Sequence, residues 1–253
     1  MNIRLFYFLL FFLSISYNSF AQRNIKDSSV FISMFSANYA YQIPGEDLAD
    51  RFGDNSNIGA SFMIKTKSNW ILSVDYSYMF GEKIHDKDSI LKSIATSSGD
   101  IIDGNGQYAD IVMYERGFHS TIKAGKIFPV FGTNPNSGIF IMAGAGLLQH
   151  KIRIENADNV APQIKDDYKK GYDKLSNGFA LSEMIGYTYF GNKRMANFYI
   201  GIEFVQAWTQ SRRDYDFALM GKDETKHFDI LSGIKVGWII PLYKRLPNKF
   251  YYF

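Results

Sequence analysis

Apolar and aromatic side chains recur at every second position along most of this chain, and that period predicts strands with one apolar face. The run from Trp70 to Gly81 shows it best. Trp70, Leu72, Val74, Tyr76, Tyr78 and Phe80 share one face, while Ser73, Asp75 and Ser77 share the other with Ile71 and Met79. The arrangement returns where Phe198, Ile200, Ile202, Phe204 and Trp208 oppose Gly201, Glu203, Ala207 and Thr209. Eight such runs are expected: Val30 to Gln42, Asn57 to Thr66, Trp70 to Gly81, Ile111 to Phe128, Gly138 to Ile154, Gly178 to Phe190, Asn197 to Gln210 and Lys226 to Pro241. Their lengths, roughly 9 to 18 residues, suit tilted strands that cross a bilayer and extend somewhat beyond it.

The connections alternate in length. Ile43 to Ser56, Glu82 to Asp110, Glu155 to Asn177 and Ser211 to Thr225 are long and polar, whereas Lys67 to Asn69, Pro129 to Ser137 and Gly191 to Ala196 are short. With the first strand rising from the periplasm, every long connection lands outside the cell and every short one inside. The expected fold is therefore all-β: an antiparallel, up-and-down transmembrane β-barrel of eight strands with long extracellular loops and short periplasmic turns. A soluble barrel or sandwich is the competing architecture, and it would turn its apolar face inward. Here Asp75, Glu115, Lys123, Glu203 and Lys235 oppose the aromatic face. A narrow interior can hold a few paired charges but not all those rings.

Composition supports the membrane alternative. Aromatics make up 17% of the chain, with 22 Phe and 17 Tyr, more than a soluble core requires but natural for a lipid face with interfacial girdles. The mean hydropathy of −0.16 is compatible, because half of each barrel strand faces inward and is free to be polar. The first 21 residues read as a signal peptide: Arg4, an apolar run from Leu5 to Leu13 too short to span a bilayer, and Ser19-Phe20-Ala21 before a cleavage at Gln22. Residues 22–253 then form one barrel domain ending in a short periplasmic tail, 242–253. With no cysteine, disulfides, thiolate metal sites and lipid anchoring at cysteine are excluded. A formal charge of +3 is too small to argue for nucleic acid.

By parity, Lys65, Asp75, Glu115, His119, Lys123, Glu203, Asp229 and Lys235 face inward, with Glu183 assigned there less firmly because its strand alternates poorly. Three lysines and at least four carboxylates in one narrow barrel can satisfy one another as ion pairs, which gives a sealed polar core; a conducting pore is the alternative. His150 and His227 fall near the outer strand ends and His85 in a loop, and a Ser-His-acid site would need Ser176, Ser211, Ser120 or another serine brought to one of them. His119 and Ser120 are adjacent in a strand and point to opposite faces. Asp229 is expected to join Lys235 in the lumen network, leaving both histidines away from any serine. Gly104-Asn105-Gly106 and Gly144-Ala145-Gly146 match no phosphate-binding fingerprint, and the second reads as inward glycines in a strand. Asp100, Asp103 and Asp110, or Asp158, Asp166 and Asp167, lack the spacing of a calcium loop. No catalytic, cofactor-binding or metal-binding residue is assigned, no cofactor is called for, and no small-molecule substrate is identified.

Several segments are familiar: Pro44 to Gly53, Gly99 to Ala109, Gln149 to Ile154, and Gly237-Trp238-Ile239-Ile240-Pro241-Leu242-Tyr243. In these, and in a Gln after the cleavage site, the mature chain resembles the small outer-membrane β-barrel proteins of Bacteroidota-type Gram-negative bacteria, broadly the OmpW-like and PorT-like barrels. The resemblance is one of pattern and compartment and brings no catalytic residue. It implies residence in the cell outer membrane among its lipid, and a role as a scaffold or accessory subunit of a larger machine, such as type IX secretion or outer-membrane protein insertion. The terminal Phe250-Tyr251-Tyr252-Phe253 resembles the signal by which such proteins engage their assembly machinery, although Pro241 and Pro247 interrupt pairing before it. The long loops carry Leu48, Phe52, Tyr108, Tyr168, Tyr172, Leu175, Tyr215, Phe217, Leu219 and Met220 among their charges, so they could fold as a cap and present a docking surface for protein partners, or their rings could pack only against one another. A small-solute pore and an outer-rim lipid-modifying or proteolytic enzyme are the alternative functions.

Overall fold

The computed structural model describes residues 28–85, 87–191 and 196–242. The expected signal segment lies outside these residues, as does the tail beyond Leu242. Eight antiparallel strands close into a single ring, each pairing with its neighbours in sequence and β1 with β8. They are β1 (Ile32–Glu46), β2 (Asn55–Lys65), β3 (Trp70–Gly81), β4 (Ile111–Phe128), β5 (Gly138–Asn156), β6 (Ser176–Phe190), β7 (Asn197–Ser211) and β8 (Lys226–Pro241). Two short helices, α1 (Asp47–Arg51) and α2 (Lys87–Ile90), sit in the first two long loops.

The alternation read from sequence is the alternation of burial. In β3, Ile71, Ser73, Asp75, Ser77 and Met79 are buried while Trp70, Leu72, Val74, Tyr76 and Tyr78 are exposed. An outer surface of this kind is unfavourable in water and suited to hydrocarbon. Aromatic rings gather toward both ends of that surface. Phe179, Trp208 and Phe228 form a row at the long-loop end, with ring centroids 6.3 and 5.5 Å apart, and Tyr189 packs on Phe198 at 5.2 Å at the short-turn end.

Five strands depart from their expected limits, most clearly β1. Pro44 and Gly45 read as the start of a loop, yet β1 runs to Glu46 along β8, pairing Pro44 with Leu231 and Glu46 with Asp229. On its other side β1 pairs with β2 only as far as Gln42. Residues 43–46 are thus a one-sided edge, where a proline without an N–H is tolerated. Likewise β2 covers Asn55–Lys65, and β5, β6 and β7 gain one or two residues at their outer ends.

The interior is layered. Toward the short turns, Ile32, Met34, Met63, Ile71, Ile127, Phe140, Met142, Met184, Phe190 and Ile239 pack into one apolar cluster with Tyr199. Tyr199 lies over its cross-strand partner Gly237, where a Cβ would stand 2.3 Å from the ring. The absence of a side chain there is what admits the ring. Toward the long loops a second apolar cluster combines Met79, Leu148, Ile152 and Leu231 of the barrel with Leu48, Phe52, Ile84, Ile90, Ile101, Ile164 and Tyr172 of the loops.

Candidate functional site

Between the two apolar layers lies a compact charge network. The Lys123 ammonium bridges Glu203 and, at 3.2 Å, the Asp75 carboxylate. Lys235 Nζ donates to Glu203 at 3.1 and 3.2 Å, and Ser73 Oγ donates to Asp75 at 2.8 Å. All four ionisable side chains are buried. Two cations oppose two anions, which lets such a group survive out of water. Gly144 contributes directly, because a Cβ there would stand 2.7 Å from Lys123 Cγ. A void beside the network has a volume of about 30 Å³ and is lined by Asp75, Lys123, Tyr199 and Lys235 among others, which is room for a water molecule.

The inward residues do not form one continuous network as expected. Lys65 is held at the short-turn mouth by neutral oxygens: Ser29 Oγ at 3.0 Å, Val30 O at 3.2 Å and Asn136 Oδ1 at 2.9 Å. Asn136 belongs to the turn between β4 and β5, which folds under the barrel; nothing in its sequence marked it as a plug. Glu115 receives Asn55 Nδ2 at 3.3 Å, and neither nitrogen of buried His119 meets a protein partner. Glu183 faces outward and is exposed, pairing in register with Ala143 and Phe204.

Asp229 also departs from expectation. It stands apart from Lys235 and accepts from Thr209 Oγ1 at 2.5 Å, while His150 Nε2 lies 3.0 Å from the same oxygen. Ser176 is the cross-strand partner of His150, so the two are neighbours after all. The Ser176 hydroxyl, however, donates to Lys174 O at 3.1 Å, and His150 Nδ1 has no partner. The nucleophile-to-base hydrogen bond of a hydrolytic triad is therefore not formed. The group is also roofed: the Phe52 ring stands edge-on to His150 at 5.6 Å, and Arg51 Nη1 reaches Ser176 Oγ at 3.5 Å. Burial lowers the pKa of the Arg51 guanidinium, with Asp229, Asp223 and Asp216 opposing the shift. His227 Nδ1 lies 3.7 Å from Asp47, and His85 Nδ1 lies 2.9 Å from Ala49 O in the loops. Among the described residues no three His, Asp or Glu side chains are grouped as metal ligands would be. Asp103 instead accepts the backbone N–H groups of Asn105 and Gln107, both at 2.8 Å, a local turn that holds its carboxyl below the usual range.

The rings of the long loops pack partly against one another and stay partly exposed. Tyr172 packs on Phe217 at 5.0 Å and Phe217 on Tyr215 at 5.6 Å, over Gly171, where a Cβ would meet the Phe217 ring at 2.1 Å. Lys174–Asp216 and Arg213–Asp173, each at 2.5 Å, tie the third and fourth long loops together. Beyond this cap Leu219 is 58% and Met220 70% exposed. They sit on a tip set by Asp216, which accepts the N–H groups of Ala218 and Leu219.

The architecture is that of an eight-stranded, filled barrel with an apolar exterior. No family model matches the chain, and no characterised protein matches it by sequence. Among solved structures it is similar to Neisserial surface protein A (15% identity over 83% of this chain and 96% of that one, TM-score 0.42). It is also similar to Ail, the attachment invasion locus protein of Yersinia pestis (10%, 83% and 99%, 0.44), and to the N-terminal β-barrel domain of Pseudomonas aeruginosa OprF (12%, 82% and 98%, 0.33). At such distances the architecture rests on the strand ladder itself.

Proposed function

We propose that the protein is a non-enzymatic barrel of the outer membrane that serves as a structural or accessory subunit of an outer-membrane complex, in protein secretion or outer-membrane protein assembly. The observation that carries this reading is the filled lumen: two apolar layers enclose a neutral charge network, and the loops roof the barrel with Phe52 and Leu48. A barrel so closed works through its surfaces. Two of those surfaces fit a protein partner: the exposed Leu219-Met220 tip, and Glu183 on the lipid face. Glu183 lies four residues from each of Phe179 and Tyr187, so at about 3.3 Å per residue and a strand tilt near 40° it stands roughly 10 Å from either aromatic level. A carboxylate at mid-bilayer is costly unless it is covered or paired, and a subunit packed against β6 would do both.

Affinity purification of the tagged chain from native membranes tests the proposal. A stoichiometric partner is expected, and its recovery should fall when Glu183→Leu or Met220→Asp is introduced. A chain that purifies alone, and whose deletion leaves secretion and membrane assembly intact, overturns the reading. The pore reading needs an open lumen, and the enzyme reading needs an accessible His150; the layered interior and the Phe52 roof favour neither.

A further inference from the structure

Partway along β7 the outer face of the barrel sets three polar side chains around one ring. Phe204 points outward, and its two cross-strand partners are Glu183 on β6 and Ser232 on β8. Gln206 follows Phe204 two residues on, on the same face. Toward the short turns the surface is apolar again, with Ile185, Ile202 and Ile234 exposed. Among the described residues none of the three polar side chains has a hydrogen-bond or ion-pair partner. On β3, by contrast, the outward residues Leu72, Val74, Tyr76 and Tyr78 include no carboxylate or carboxamide.

A carboxylate, a carboxamide and a hydroxyl that face hydrocarbon lack the hydrogen bonds water would give them. Glu183 dominates the cost because it carries charge, and its side chain is too short to bring that charge to the level of Phe179 or Tyr187 on its own strand. On the β5 side the ground beside it is low. Ala143 pairs with Glu183, Ala124 pairs with Ala143, and Ala145 is the next outward residue of β5. The stem of a lysine or arginine can lie over these alanines with its cationic end at the Glu183 carboxylate.

We infer that the outer face of β6–β8 around Phe204 docks a different membrane-embedded protein, one whose lipid-facing lysine or arginine pairs with Glu183. The inference rests on the accessory-subunit reading above and narrows it to one face and one chemistry. Charge complementarity selects this occupant: a lone cation in hydrocarbon is as costly as a lone carboxylate, and the two together are neutral. A second copy of this chain does not supply the cation. Two copies share one up-down sense in the membrane, so a two-fold contact on this face sets Glu183 against Glu183. Lys126, an outward cation on β4, is already seated 5.6 Å from the Trp70 ring centroid and 5.9 Å from that of Phe128.

The test uses the full mature chain in its native membrane, with Phe204 replaced by photoreactive p-benzoylphenylalanine and, as the control, Val74 replaced in the same way. Irradiation should join position 204 to one other membrane protein and leave position 74 without that adduct; equal yields at the two positions overturn the inference. Mass spectrometry of the joined peptide should place it in a membrane-spanning segment with a lipid-facing Lys or Arg, and a segment without one overturns the inference too. Glu183→Gln keeps the shape, and its fold is checked by heat-modified gel mobility. It should lower the adduct yield at least about tenfold, the loss expected when a desolvated cation is left without its counter-charge; an unchanged yield overturns the cation assignment. Charge reversal of the partner's cation should restore the adduct that Glu183→Lys abolishes. An adduct only with a second copy of this chain, or only with lipid, overturns the inference. A stoichiometric partner that joins from a photoreactive residue at Met220 and not from position 204 overturns it and leaves the accessory reading standing. No partner at either place overturns both.

Discussion

Glu203 holds two buried lysines at once, and replacing it with Gln is the sharpest test of how the lumen is stabilised. Its Oε1 accepts from both Lys123 and Lys235, with the latter at 3.1 Å. At an effective dielectric near 20 a charge pair at that separation is worth about 5 kcal/mol before desolvation. Glu203→Gln keeps the shape and one acceptor but leaves Lys123 and Lys235 facing Asp75 alone, an interior with one uncompensated positive charge. Breaking a buried pair from one side costs about 3–5 kcal/mol. Lys235→Met in the same background restores neutrality at similar volume, so the double variant should be more stable than Glu203→Gln alone by at least about 1.5 kcal/mol. Urea unfolding of the barrel in lipid vesicles, followed by Trp fluorescence, measures all three. A Glu203→Gln variant within about 0.5 kcal/mol of wild type, or additive effects in the double variant, would refute the reasoning.

Three further outcomes are expected. Glu183→Leu should stabilise the isolated barrel in the same vesicle assay by about 1–2 kcal/mol, since a mid-bilayer carboxylate is replaced by an apolar group; a loss of stability would show Glu183 to be satisfied within its own chain. Gly237→Val should drive a side chain into the Tyr199 ring and cost about 1–3 kcal/mol, with Tyr199→Ala in the same background relieving the clash; an unchanged unfolding midpoint would contradict the packing described. Asp54 is held down to about 2 by its hydrogen bonds from Lys83 and Tyr41. Because its folded pKa is depressed, its contribution is present above the ordinary carboxylate range and is lost as pH falls through about 2, so an NMR titration should find this carboxylate still ionised at about pH 3; titration near 4 would contradict the cluster.

Strand positions and face assignments were legible because both follow from a period of two, which lipid outside and a crowded lumen inside enforce on every strand. Asp75, Lys123, Glu203 and Lys235 could be placed on the inner face on that basis alone. Parity does not give depth, and depth is what separates Asp229, beside His150, from Lys235 six residues further along β8. Glu183 misled because its strand mixes Gly178, Ala180 and Gly186 with rings, so the alternation is weak where the odd residue sits. The overrun of β1 past Pro44 depended on β8 being longer than β2, a relation between strands that no single segment records. The roof of Phe52 over His150 and the plug of Asn136 beneath Lys65 are tertiary contacts of irregular chain, and loop residues carry no period by which to find them.

Single-channel recording of the purified mature chain in planar bilayers tests the central claim that the barrel is sealed. With the charge network enclosed between two apolar layers, no steady conductance is expected at neutral pH, and opening the roof with Phe52→Ala should not create one while the layer around Phe140, Met142 and Met184 remains. A large, reproducible conductance from the folded wild-type barrel would contradict it.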